Sequence, residues 1–159
     1  MTMTITKDRL SAVLKTIGDL AKKQVLVGIP DGSPENTDKP ITNAQIGYIQ
    51  EKGSPVKNIP ARPFLVPGVA SVQDQCFDKL RDAASAALDG QPSGVNQGLT
   101  SAGFIAEDAV KEKINSNIQP ALAETTLAAR RARGVTRENT LVDTGSLRNA
   151  VTHVIRDKS

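Results

Sequence analysis

The hydrophobic residues near the start of the chain recur with the period of an α-helix. Over residues 7–23 they share one face, while charged side chains occupy the opposite face. The apolar positions are Leu10, Val13, Leu14, Ile17 and Ala21. Thr6 is suited to accept hydrogen bonds from the free N–H groups at the helix start. This pattern predicts an amphipathic surface helix that packs on a sheet.

A short apolar run follows and changes the period from helix to strand. Residues 24–30 (QVLVGIP) are rich in β-forming side chains and end at a proline, which predicts a buried strand. Residues 31–41 (DGSPENTDKPI) are polar and rich in Gly, Pro and Asp, so they cannot bury much apolar surface. We therefore expect a long, exposed and mobile loop at about 31–41.

The middle of the chain predicts three helices separated by breaks. Thr42 and Asn43 are suited to cap a short helix over 44–52, after which proline-punctuated residues extend to Pro63. The next helices are expected over 67–88 and 99–115, with a polar break between them. The third helix carries small residues on its apolar face, so this face either packs within the subunit or forms a subunit interface.

The last third of the chain is less regular. Pro120 interrupts it, and a short helix is expected over 122–133. Asp143 or Thr144 is expected to cap the polar helical turn before a strand over 151–156. This order of elements predicts an α+β fold over a single domain, residues 1–159: a small, mostly antiparallel sheet packed against several helices.

Composition narrows the possible chemistry. The 159 residues include one Cys and one His, which excludes a disulfide framework or a zinc finger within one chain. Aromatic residues make up 3%, too few for a protein that stacks bases on rings. No apolar run approaches the ~18 residues of a membrane span, and MTMTIT at the start lacks the apolar core of a signal peptide, so we expect synthesis in a cytosol.

No catalytic motif is found, so we expect neither an enzyme nor a bound cofactor or metal. Asp143-Thr144-Gly145 matches one half of an aspartic-protease site, but those enzymes need two such carboxylates. Glu107 and Lys111 have the spacing of a helix-supporting ion pair. His153, which has no second histidine beside it, is interpreted as a packing or surface residue rather than a base.

The densest charged feature is a group of arginines after Pro120, which we call the arginine cluster. It consists of Arg130, Arg131, Arg133 and Arg137, in a chain of net charge +3. We expect these side chains to be exposed. They are either solvated or bind phosphates or an acidic partner patch, because guanidinium groups pair with both in a bidentate manner.

Three segments in this order resemble the neck and tail-completion proteins of long-tailed bacteriophages, similar in role to the minor tail protein Z of lambda-like phages. The first combines VLVGIP (25–30) with NAQIGYIQEKG (43–53), where Gly47 stands in place of an alanine-like helix former. The second is IPARPFL (59–65), and the third is LVDTGSLRNAV (141–151). The resemblance covers nearly the whole chain.

The resemblance implies a structural virion protein of the head–tail junction or tail end, made in the host cytoplasm. It would form a homo-oligomeric ring with DNA passing through the lumen, join the tail to the head connector, and contact other neck and tail proteins. The candidate interface residues are Pro60, Arg62, Pro63, Phe64, Arg130, Arg131, Arg133, Asp143, Thr144, Gly145, Leu147 and Arg148. The alternative is a small basic nucleic-acid-binding regulator that uses the arginine cluster, which predicts tight, steeply salt-dependent binding.

Overall fold

The computed structural model describes residues 9–31 and 41–158. Its elements are α1 (Leu10–Lys22), β1 (Lys23–Gly28), α2 (Asn43–Lys52), a 3-10 turn (Pro55–Lys57), α3 (Leu65–Ala70), α4 (Gln73–Leu88), α5 (Pro92–Asn115), α6 (Glu124–Ala132), α7 (Ser146–Ala150) and β2 (Thr152–Asp157). β1 and β2 pair as a small antiparallel sheet, which confirms the predicted α+β class. No helix in the described ranges is both long and apolar enough to cross a bilayer.

The chain divides into two compact units. Unit 1 comprises Met1–Leu26, Asp74–Ile105 and Val154–Ser159, and unit 2 comprises Val27–Gln73 and Ala106–His153. The expectation of one domain over 1–159 stays a prediction. Most of the expected mobile loop, like the Thr6 cap, lies outside the described residues.

The core of unit 1 is built from aliphatic and very small side chains. Ala83, Ala87, Val95 and Leu99 form its buried centre, where α4 packs against α5. Because alanine adds little bulk, the helix backbones approach closely here. Ile17 and Leu20 of α1 pack against this centre, and Thr16 is buried beside them in the sequence. The apolar face predicted for this helix was wrong in part, because Leu10, Leu14 and Ala21 are exposed.

The core of unit 2 surrounds one aromatic ring. Phe64, 1% exposed, is buried together with Val110, Ile114, Leu147 and Val151. Leu147 lies inside the short helix α7 and Val151 directly follows it, so they bring the C-terminal segment onto α5. The apolar face expected for the third helix is thus buried by residues of the same chain, which favours packing within the subunit.

The residues at the two ends of α2 predicted its position correctly. The Thr42 side chain accepts a hydrogen bond from the Gln45 backbone N–H at 3.2 Å, and the Gln45 side chain accepts one from the Thr42 N–H at 3.0 Å. This reciprocal capping box confirms the predicted helix start. Gly53 ends the helix with a φ of 75°, in the range that favours glycine.

Two sequence-based boundaries were wrong. The helix expected over 67–88 is split between α3 and α4 by a tight turn, where the Ser71 hydroxyl donates to the Gly68 carbonyl at 2.7 Å. The break expected over 89–98 is much shorter, because α5 begins at Pro92. A proline at this first position costs nothing, since its missing N–H would have had no partner in the helix.

Gly98 was interpreted as part of a break, but it lies inside α5 at a close helix–helix approach. A Cβ atom there would lie 2.7 Å from the Lys79 carbonyl oxygen and 2.7 Å from the Ala83 Cβ, both on α4. We therefore expect Gly98→Ala to lower the free energy of unfolding by about 1–3 kcal/mol, although alanine favours helices. Urea denaturation measures the change.

Gly18→Ala is the matched control for this substitution. Gly18 lies inside α1, and nothing lies within 4 Å of a Cβ built on it. There the same substitution should raise the free energy of unfolding by up to about 1 kcal/mol, because alanine is the better helix former. A Gly98→Ala protein that is as stable as the parent would contradict the close approach.

Candidate functional site

The candidate site is a polar cleft in unit 2, with a volume of about 340 Å³. It lies among α2, α6, α7 and the irregular chain between the last two, and we call it the arginine cleft. Seven of the twelve candidate interface residues line it: Arg62, Arg130, Arg133, Asp143, Thr144, Gly145 and Leu147. The tertiary structure therefore brings together residues from two distant segments of the chain.

Arg62 is held at one wall of the cleft and is only 5% exposed. Its backbone N–H donates to the Gln50 carbonyl at 2.7 Å. Its side chain donates from Nε to the Pro120 carbonyl at 2.8 Å and from Nη2 to the Ala121 carbonyl at 3.2 Å. Burial, and then repulsion from the Arg130 charge, lower the pKa of Arg62. It forms no ion pair with any described carboxylate.

Arg130 is also 5% exposed, so the expectation that the whole arginine cluster is exposed was wrong for this residue. Its Nη1 donates to the carbonyl oxygens of Arg137 (3.0 Å), Asn139 (2.7 Å) and Val142 (3.3 Å). Its Nη2 donates to the Thr140 carbonyl at 3.4 Å. The chain after α6 folds back around this guanidinium, which satisfies carbonyls that no helix or strand would pair.

Two other members of the cluster are at the surface but have carboxylate partners. Arg131 donates to Glu124 at 2.9 Å and lies 3.5 Å from Glu138; the hydrogen bond from Arg131 to Glu124 and the charge of that carboxylate raise the arginine's pKa. Arg133 donates to Asp143 Oδ2 at 3.0 Å. Exposed pairs of this kind contribute about 0–1 kcal/mol each.

The turn at Asp143 forms the rim of the cleft. The expected cap by Asp143 or Thr144 was wrong, because Gly145 is the N-cap of α7 and no side chain caps this helix. Thr144 Oγ1 accepts a hydrogen bond from the Ser146 backbone N–H at 3.3 Å, and the Asp143 carboxylate accepts from Arg133. Asp143 Oδ1 lies 3.7 Å from Arg130 Nε, and its carbonyl accepts from Arg137 at 3.4 Å. Asp143 thus acts as a counter-charge for the arginine cluster.

Three buried oxygen atoms of the cleft residues lack a hydrogen-bond partner among the described residues. They are Gln50 Oε1, Thr140 Oγ1 and Asp143 Oδ1. An unsatisfied buried polar atom costs about 1–3 kcal/mol. Gln50 Oε1 and Asp143 Oδ1 can only accept hydrogen bonds, so a hydrogen-bond donor would satisfy them.

The other candidate interface residues have different environments. Phe64 and Leu147 belong to the core of unit 2 and are not available to a partner. Pro60 and Pro63 are exposed, and Arg148 is half-buried. The surface candidates that remain are the two prolines, Arg131, Arg133 and Thr144.

A second polar group, outside the cleft, was only partly expected. Glu107 forms the predicted ion pair with Lys111. It also accepts from the His153 backbone N–H at 3.1 Å, and its Oε2 lies 2.6 Å from His153 Nδ1. Burial raises the pKa of Glu107, but the hydrogen bonds with Lys111 and His153 outweigh it, and the net pKa is below the ordinary value. No sequence signal joins residues this far apart along the chain.

Neither a group of metal-binding side chains nor a comparison with known proteins assigns a function to this chain. Within the described residues, no three His, Cys, Asp or Glu side chains are grouped to hold a metal ion. No protein-family model, curated protein or solved structure matches the chain. The residues of the cleft and the packing of unit 2 are therefore the basis for a functional proposal.

Proposed function

We propose that this chain is a structural virion protein of a bacteriophage neck or tail end. It would form a homo-oligomeric ring that completes the tail and joins it to the head connector, with DNA passing through the lumen. Heterologous contacts between identical subunits close into rings when the rotation between them permits. The chain would act by binding neighbouring proteins rather than by catalysis.

The observation that carries this proposal is the meeting of the resemblance segments around Gly47. A Cβ on Gly47 would lie 2.7 Å from Ile29 Cδ1 and 3.6 Å from both Phe64 Cζ and Leu147 Cδ1. Each of these neighbours comes from a different part of the three segments. Of these approaches, the one to Ile29 Cδ1 is shorter than an ordinary contact, and the flexible end of that side chain can shift, so the packing does not require glycine here. The resemblance therefore rests on residues that pack together rather than on scattered matches.

A second contact joins the first two segments. The Glu51 carboxylate accepts hydrogen bonds from the backbone N–H groups of Phe64 (2.7 Å), Leu65 (2.9 Å) and Val66 (3.2 Å). These N–H groups belong to the start of α3, which has no other side-chain cap. The Glu51 carboxylate thus joins the EKG segment to the IPARPFL segment.

The arrangement of the arginine cluster does not favour the nucleic-acid-binding alternative. Arg130 is enclosed by backbone carbonyls, and Arg131 and Arg133 have carboxylate partners. A phosphate would have to displace these partners before it could bind. The cluster is therefore better suited to holding this part of the chain than to reading DNA.

Electron microscopy of phage particles tests the proposal. A phage deleted for this gene should release separate heads and tails, because the ring that joins them is missing, and the chain supplied in trans should restore joined particles. The double variant Arg131→Ala/Arg133→Ala should keep its fold and reduce joining. Both side chains are exposed, so each can also contact a neighbouring subunit, and the loss of such a contact is repeated around the ring.

DNA gel shifts on the same double variant separate the two functions. Joined particles at the normal yield, together with loss of tight and sequence-selective DNA binding, would support the regulator and exclude the neck protein. Impaired joining with no change in DNA binding supports the neck protein. Absence of the chain from purified virions would also contradict the proposal.

A further inference from the structure

We propose that the arginine cleft binds a carboxylate group, supplied by an aspartate or glutamate side chain of a partner protein. The partner's place in a virion assembly rests on the proposed function, whereas the binding of a carboxylate by this cleft does not. The inference follows from the charge balance, the free donors and the depth of the cleft.

The charge balance of the cleft is positive. Arg62 and Arg130 are both more than nine-tenths buried, and both line the cleft together with Arg133. Asp143 is the carboxylate that faces these guanidinium groups, and it is shared between Arg130 and Arg133. Arg62 is left with backbone carbonyls alone. A buried cation without a counter-charge is costly, and an entering anion would offset that cost.

The lowered pKa of Arg62 agrees with this picture. Burial is the larger cause, and repulsion from Arg130 is the second. Both causes disfavour the charged form of the guanidinium. A bound carboxylate would act in the opposite direction, because an opposite charge nearby favours the charged form.

Free hydrogen-bond donors point to the same ligand. Nη1 of Arg62 has no acceptor among the described residues, although Nε and Nη2 do. The hydroxyl oxygens of Thr144 and Ser146 are 2.6 Å apart, so one donates to the other and the second hydroxyl proton is left for a ligand. A carboxylate accepts hydrogen bonds from both kinds of donor, and these residues line the same cleft.

The depth of the cleft favours a protein side chain over a nucleic-acid phosphate. Arg62 is 5% exposed, so a phosphate within a stiff duplex cannot approach it, whereas one extended acidic side chain can. The depth of the site therefore selects a single, slender acidic group over a phosphate held in a duplex.

Nuclear magnetic resonance of the purified full chain tests the inference, with sodium acetate as the probe. Acetate should cause saturable shifts of the Arg62 Nε–H signal and of the Thr144 and Ser146 amide signals. Sodium chloride at equal ionic strength should not cause them. Absence of a saturable shift would overturn the inference, as would tighter binding of inorganic phosphate than of acetate.

Two substitutions sharpen the test without removing Arg62. Asp143→Asn removes the competing negative charge, so acetate should bind about tenfold more tightly. Arg133→Gln should weaken it severalfold, while Arg81→Gln, the same charge change at an exposed position of unit 1, should leave it unchanged. Unchanged affinity in Asp143→Asn, with native signals elsewhere, would contradict a carboxylate site.

The outcome for the cleft is distinguishable from the outcome for the proposed function. Saturable acetate binding by a chain that is absent from virions would retain the cleft and reject the neck protein. A chain that joins heads to tails but binds no acetate would retain the neck protein and reject the cleft.

Discussion

Replacing Arg130 with alanine is expected to lower the free energy of unfolding by about 3–5 kcal/mol, the range for removing one partner of a buried charged interaction. The guanidinium donates to the carbonyls of Arg137, Asn139, Thr140 and Val142. Without it, these carbonyls lose their donor while the chain around them stays partly buried. Urea denaturation followed by circular dichroism measures the change.

Arg131→Ala is the matched control, because it removes the same side chain from the next position of α6. Arg131 is exposed and pairs with Glu124 and Glu138, so its loss should cost less than about 1 kcal/mol. Arg130→Lys keeps the charge but lacks the planar fork, and should recover only part of the stability. Equal, small effects of Arg130→Ala and Arg131→Ala would show that the buried arginine does not hold this segment.

Replacing Glu51 with alanine is expected to destabilise the protein by about 2–3 kcal/mol, because three backbone N–H groups lose a charged acceptor. The carboxylate binds the N–H groups of Phe64, Leu65 and Val66 at 2.7–3.2 Å. Phe64 is at the centre of the unit 2 core, so loss of the cap also weakens the packing of the Phe64 side chain. Thermal or urea denaturation measures the change in stability.

Glu112→Ala provides the comparison for the Glu51 substitution. Glu112 is an exposed glutamate on α5, where substitution should change stability by less than about 0.5 kcal/mol. Glu51→Gln keeps the shape and one acceptor oxygen but loses the charge, so its effect should be intermediate. If Glu51→Ala and Glu112→Ala behave alike, the three hydrogen bonds do not stabilise α3.

Elements whose signals lie close together in the chain were predictable. The α2 capping box joins Thr42 to a residue three positions later, and Gly53 ends the same helix through its own backbone angle. The α+β class followed from the order of such local elements, and the structure confirms it.

The two boundaries that failed have different causes. Gly98 is a helix breaker by local propensity, yet in α5 it permits the close approach to Lys79 and Ala83 of α4, so packing overrode propensity there. The turn between α3 and α4 is local: the Ser71 hydroxyl donates to the Gly68 carbonyl, and the Val72 N–H donates to the Val69 carbonyl.

The sequence by itself determined the class of fold and the capped helix α2, because each depends on residue identity and short spacing. Only the tertiary structure decided that Arg62 and Arg130 are buried in one cleft while Arg131 remains exposed. A pattern of residue types along the chain cannot distinguish one arginine from the arginine next to it. Their different environments arise because the chain after α6 folds back over one side chain and leaves its neighbour in solvent.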